Sequence, residues 1–130
     1  MKTKKFIILN SIFIFLIAVL SHFIYDLFPN SFTSIFFPVN ESIWEHMKLL
    51  FTPYLINLLL LMIFNKNFNL VYHNLAFSYL VSSLFSIFLY LAIYLPIYNV
   101  WVPNTFFNII LMIIVIIISQ FVLVYLLKKD

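Results

Sequence analysis

The sequence predicts an all-α fold: a four-transmembrane-helix bundle with two short Pro-bounded interfacial segments on the outer side. Three observations predict it. Hydrophobic residues make up 65% of the 130 and charged residues 8%, against roughly half and a quarter in soluble domains. Four apolar runs are long enough to cross a ~30 Å hydrocarbon core, which takes ~20 helical residues. The basic residues are all Lys, and six of the seven lie at or near the ends of those runs, where Lys sets orientation. The length fits one integral membrane domain, 1–130. A net charge of +3 carried this way does not suggest nucleic acid. The absence of Cys excludes disulfides, thiolate metal sites and Cys nucleophiles. The absence of Gly excludes Gly-rich phosphate loops and Gly-x-x-x-Gly helix packing.

The first span is expected over about 6–28, after Lys2, Lys4 and Lys5, and at 1.5 Å per residue it is ~34 Å long. A cleaved signal peptide is the rival reading, but the chain offers only a poor Val19-Leu20-Ser21 cleavage site and the apolar run continues past it, so the segment is expected to stay as a span. Pro29 and Pro38 bound a polar-aromatic break that suits the headgroup layer as a loop or short interfacial helix.

The second helix is expected to start at Asn40 and span 41–64. Asn40 is a good N-cap, and Ser42-x-x-Glu45 also reads as a capping box. Pro53 inside this helix removes a donor and should kink it near 49–53. A polar turn, 65–69, leads to the third span, 70–95, where Ser78, Ser82 and Ser86 form a small-residue stripe suited to close helix contact. Pro96 opens the second break, which ends at Thr105. The fourth span is 106–127, nearly pure Ile, Leu, Val and Phe after Asn108, and Lys128, Lys129 and Asp130 close the chain. The two halves share a pattern of span, Pro-bounded aromatic break, span. With four spans, the N-terminal Lys cluster, Lys66 and Lys128-Lys129 all fall on one face, so both termini are expected in the cytoplasm and both breaks outside.

Polar and ionisable groups inside a membrane are expensive, and they gather in one stretch, Asn40-Glu41-Ser42-Ile43-Trp44-Glu45-His46-Met47-Lys48. His22 lies about six residues below the outer end of the first span, ~9 Å, and Glu45 and His46 lie ~8 Å below the outer start of the second. The levels match. Asp26 is one turn above His22, and Glu41 one turn above Glu45. On a helix from Asn40, Glu41, Glu45, Lys48 and Thr52 share a stripe, while His46 points roughly 100° away from Glu45. His73 belongs to the opposite end of the bundle, ~20 Å or more away, so no site uses all three His.

The string Pro-Val-Asn-Glu-Ser-Ile-Trp-Glu-His-Met-Lys at 38–48, with His-x-x-Tyr-Asp at 22–26, resembles the signature of an uncharacterised family of small bacterial polytopic membrane proteins carrying an Asn-Glu-Ser-x-Trp-Glu-His-x-Lys motif. The resemblance covers the first half of the chain. It implies a multi-pass protein of the bacterial cell membrane, centred on 40–48, and brings no activity with it.

Three functions suit the cluster. In the first, His22, Asp26, Glu41, Glu45 and His46 are candidate ligands for a divalent metal or polar ligand, with Asn40, Ser42, Trp44, Lys48 and Tyr25 in support. Zinc or manganese suits that nitrogen and oxygen mixture better than calcium, and an open position could activate water at the outer leaflet. In the second, the same groups relay protons or cations in a small transporter. Against it, the inner half offers only His73, Asn74 and Ser residues as a continuing path. In the third, the motif caps and staples helices in a structural partner subunit: Glu45 pairs with Lys48, acids favour the helix start, and Trp44 is a belt residue. Tyr54, Tyr90, Tyr94, Tyr98 and Trp101 read as further belt residues. Membrane lipids are the expected surroundings, and a homo-oligomer or a partner membrane protein is compatible with the small size.

Overall fold

The structure, a computed structural model, describes residues 3–68 and 74–129. Its helices are α1 Thr3–Leu27, α2 Ser31–Phe36, α3 Ile43–His46, α4 Lys48–Phe68, α5 Leu75–Tyr98 and α6 Thr105–Leu127. No strand occurs among the described residues. Four helical segments are long and apolar enough to cross a membrane: Lys4–Leu27, Ile43–Phe64, Leu75–Tyr98 and Thr105–Leu127. α1 packs on α4 and α6, and α5 packs on the same two, so the long helices close a ring in the order α1, α4, α5, α6. His73 and the start of the third span expected at Leu70 lie outside the described residues.

The ends of the helices follow local chemistry. Asn30 Oδ1 accepts from the Thr33 N–H at 3.0 Å, and Thr33 Oγ1 accepts from the Asn30 N–H at 3.1 Å. This reciprocal box nucleates α2 inside the first Pro-bounded break. The second long helix begins at Ile43, later than Asn40 would have it. Ser42 is the cap, accepting from the Glu45 N–H at 3.3 Å. Asn40 instead turns its carbonyl oxygen onto the Ser42 N–H at 2.9 Å, a local side-chain bond that competes with helix and leaves Asn40 and Glu41 outside it. The box expected at Ser42 is half formed, because the Glu45 carboxylate reaches past it to the Val39 N–H at 3.0 Å. Met47 joins α3 to α4 in a right-handed helical conformation, its N–H shared between the carbonyls of Ile43 and Trp44. Pro53 lies buried within α4. α4 runs on to Phe68 through most of the expected polar turn, where no Pro or Gly halts it.

α5 continues through Pro96 to Tyr98, beyond the expected end at 95. In a last turn, the missing N–H costs one bond, and the turn is completed by Asn99 N–H to Leu95 O at 3.3 Å. Asn104 caps α6 by accepting from the Phe107 N–H at 2.9 Å. At the other end, Asn74 donates to the carbonyls of Leu126, in the last turn of α6, and of Lys129 just beyond it, tying the start of α5 to the end of α6.

Between lipid-facing surfaces rich in Phe and Ile, such as Phe88 and Ile63, at 70% and 68% exposed, the bundle centre is polar. Helix association in lipid draws little from hydrophobicity and depends on packing and interhelical bonds. Ser78, Ser82 and Ser86 are buried as the stripe predicts. Deeper interactions were not predicted. Asn10 of α1 donates to Gln120 Oε1 of α6 at 2.6 Å and accepts from Asn57 of α4 at 2.7 Å and Tyr79 of α5 at 3.2 Å. Gln120 donates to the Tyr54 hydroxyl at 3.2 Å, which also bonds Ser119. All four membrane helices meet in this network. It corrects two expectations. Tyr54, Tyr90 and Tyr94 are core residues and not belt, at 1%, 5% and 9% exposed, because they point inward. For Tyr54 the network supplies a partner for the buried hydroxyl. The half of the bundle that holds the chain termini, expected to offer only His73, Asn74 and serines, has this further polar interior.

Candidate functional site

The 40–48 motif divides into two halves facing different neighbours. The division begins with the cap. Because helix starts only at Ile43, Glu41 sits in the preceding turn, free of the stripe expected to align it with Glu45. Its carboxylate, 81% exposed, spans two imidazoles: Oε2 is 3.2 Å from His46 Nε2, and Oε1 is 3.6 Å from His22 Nε2. His22 arrives from the last turns of α1, and its ring lies 5.4 Å from that of His46. One ligand atom from each of His22, Glu41 and His46 falls within 4.8 Å of the others.

The His46 ring is anchored on its other side. Its Nδ1 lies 2.9 Å from the Ser42 carbonyl. That oxygen can only accept, so Nδ1 carries a proton; Nε2 faces the Glu41 carboxylate at 3.2 Å, where it donates to the carboxylate or, with a cation between them, would offer its lone pair to the metal. A tetrahedral centre with bonds of ~2.0 Å has ligand-to-ligand edges of ~3.3 Å; Glu41 meets the two imidazoles through different oxygens, and one atom from each residue lies within 4.8 Å of the others, so the three side chains would draw together around an ion. Two nitrogens and a carboxylate, with one position left open, form a donor set suited to zinc.

The other half does mechanical work. Lys48 Nζ donates to Glu45 Oε2 at 2.6 Å and to the Ser34 carbonyl at 2.7 Å. Thr52 donates to the Phe36 carbonyl. Glu45, Lys48 and Thr52 therefore clasp the C-terminal end of α2 and the chain at Val39 onto α4. Helix geometry explains the split: adjacent residues diverge by ~100°, so Glu45 and His46 cannot serve one centre. Of the other residues singled out from the sequence, Asp26 is exposed and forms no ion pair among the described residues. Tyr25, one residue earlier, is half-buried and stands outside the His–Glu cluster. Trp44 faces outward, 67% exposed, as a belt residue does.

Beneath the cluster is a cavity of about 290 Å³, lined by His22, Glu41 and His46 at one end and by Ala18, Leu50, Tyr94 and Met112, among others, within the bundle. Tyr90 and Asn108 also line it. Reading Tyr as interfacial belt hid this role; the signal that could have found it is Tyr90 and Tyr94 at i, i+4 in register with the Ser78, Ser82 and Ser86 stripe. The His22 Nδ1 and Asn108 Oδ1 atoms are buried without a partner among the described residues.

Compared with known proteins, residues 1–130 match the family described as a family of unknown function, DUF6512. No curated protein and no solved structure matches the chain.

Proposed function

The chain belongs to the DUF6512 family, and from its site we propose that it is a small multi-pass membrane protein that binds a divalent metal, zinc or manganese, through His22, Glu41 and His46. The observation that carries this is the convergence of three ligand atoms within 4.8 Å, one of them on an imidazole whose other nitrogen is anchored by the Ser42 carbonyl at 2.9 Å. The Lys distribution supports cytoplasmic termini and an outward-facing site, and the motif resemblance supports a bacterial cell membrane. Glu45 belongs to the clasp and Asp26 to the exposed rim, so neither is assigned to the metal.

Elemental analysis of the detergent-purified protein tests the reading. One zinc or manganese per chain is expected, lost in His46→Ala and Glu41→Gln and retained in Glu45→Gln. A metal-free wild type, or metal retained in both of the first two variants, overturns it.

A cation-coupled transporter is the second reading, favoured by one observation. Below the cavity, Ser86 donates to the Leu50 carbonyl at 3.4 Å, and Tyr54, one turn further on, opens the network to Gln120, Asn10 and Asn57. Proton flux into liposomes that is equal for wild type and Glu41→Gln discards it.

A further inference from the structure

The cavity has a shape and position that the metal alone does not use. It is built from α1, the α3–α4 corner, α5 and α6, in the outer half of the bundle. Its walls are mostly apolar, aliphatic and aromatic together, with two Met side chains, Met47 and Met112, whose flexibility adapts to a chain of variable shape. Its upper end carries the His–Glu cluster. Val19 and Phe23 of α1 and Ile109 of α6 line it and are also 40%, 54% and 43% exposed on the outside of the bundle. These side chains stand at the seam between α1 and α6.

Charge selects what enters. Glu45 is already matched by Lys48 at 2.6 Å, which leaves Glu41 as the carboxylate at the cluster. A divalent cation held there with Glu41 has one surplus positive charge and an open position. A neutral head would leave that charge unmatched; an anionic oxygen would complete it. At about 290 Å³ the cavity is at the small end of the ~300–1,000 Å³ usual for ligand pockets, which suits one chain with a compact head.

We propose that this cavity binds a single-chain carboxylate amphiphile, a long-chain fatty acid, with its carboxylate on the metal at His22, Glu41 and His46 and its chain among Ala18, Leu50 and Met112. The proposal rests on the metal reading above for what the head meets. It makes this a site for a lipid taken from the membrane through the α1–α6 seam.

Oleate binding to delipidated, zinc-loaded protein in detergent tests it, with zinc content measured in parallel. One oleate per chain is expected. Ala18→Phe, which fills the cavity, is expected to weaken oleate at least about tenfold while zinc stays bound. Met112→Trp is the second variant should Ala18→Phe fail to fold. Monooleoylglycerol, with the same chain and no charge, is expected to compete poorly. Zinc bound with no oleate, oleate binding unchanged in the cavity-filling variants, or monooleoylglycerol competing as well as oleate each overturns the proposal. A wild type without zinc overturns instead the reading beneath it, and elemental analysis reports that outcome separately.

Discussion

His46 Nε2 stands 3.2 Å from Glu41 Oε2, while Glu45, its neighbour in sequence, turns the other way and holds Lys48 at 2.6 Å. One short motif thus serves two purposes: a cluster of possible ligands on one side, and a clasp for the outer segment on the other.

The two halves should separate by mutation. Glu41→Gln and His46→Ala are expected to abolish zinc binding with little change in thermal stability in detergent. Glu45→Gln is expected to do the reverse, keeping zinc and losing ~1–2 kcal/mol, the scale of charge-assisted bonds to Lys48 and the Val39 N–H in a partly exposed setting. Unfolding titrations alongside metal analysis read both. Zinc lost from Glu45→Gln would show the halves to be coupled.

Zinc affinity should fall on acidification, because imidazole binds metal only as the neutral base and protons compete for the same lone pair. The sign is therefore weaker binding at lower pH, with proton release when zinc is added at fixed pH. A zinc affinity that stays flat as the pH is lowered argues against two His ligands.

Gln120 holds Asn10 at 2.6 Å and Tyr54 at 3.2 Å. Gln120→Leu removes both bonds and leaves the Asn10 side-chain N–H without its acceptor inside the bundle, while Tyr54 keeps Ser119 and Asn10 keeps the bonds it accepts from Asn57 and Tyr79. Interhelical bonds in membranes average ~0.6 kcal/mol and reach ~1.7 kcal/mol, so a loss of ~1–3 kcal/mol is expected in an unfolding titration. A variant as stable as wild type would make the network incidental.

Ser82 is fully buried, and its hydroxyl has no partner among the described residues. Ser82→Ala should therefore be neutral or slightly stabilising. Ser82→Leu should cost ~1–3 kcal/mol by overpacking α5 against its neighbours. Equal stability of the two variants would remove the close-contact role of the stripe.

Orientation is accessible because the chain has no Cys. Ser42→Cys is expected to react with an impermeant thiol reagent added to intact cells, and Lys129→Cys only after the membrane is opened. The opposite pattern would invert the topology and place the His–Glu cluster inside.

Much of this protein is written in one dimension. Spans of Ile, Leu, Phe and Val fix the number and length of the membrane helices, since a lipid environment demands both apolar side chains and internally bonded backbone. The Ser stripe on α5 announces its own burial, and Pro29 with Pro38 announces the outer break. The meeting of α1 and the 40–48 segment near one depth was also legible, from simple helix rise.

What the sequence left open depends on angles and on third parties. Whether Glu41 or Glu45 joins His22 turned on where the helix begins, and that was decided by competition between Asn40 and Ser42 for one cap. Two residues of delay, from Asn40 to Ser42 as the cap, freed Glu41 to swing between two imidazoles. The Asn10, Asn57, Tyr79 and Gln120 network was invisible because each residue alone is a single polar interruption in an apolar run; only the ring of four helices brings them together. Composition and period determined that four helices form and lie in lipid. The tertiary structure alone decided which side chains share an interior, because that depends on the rotation of each helix about its axis, set by packing against the other three.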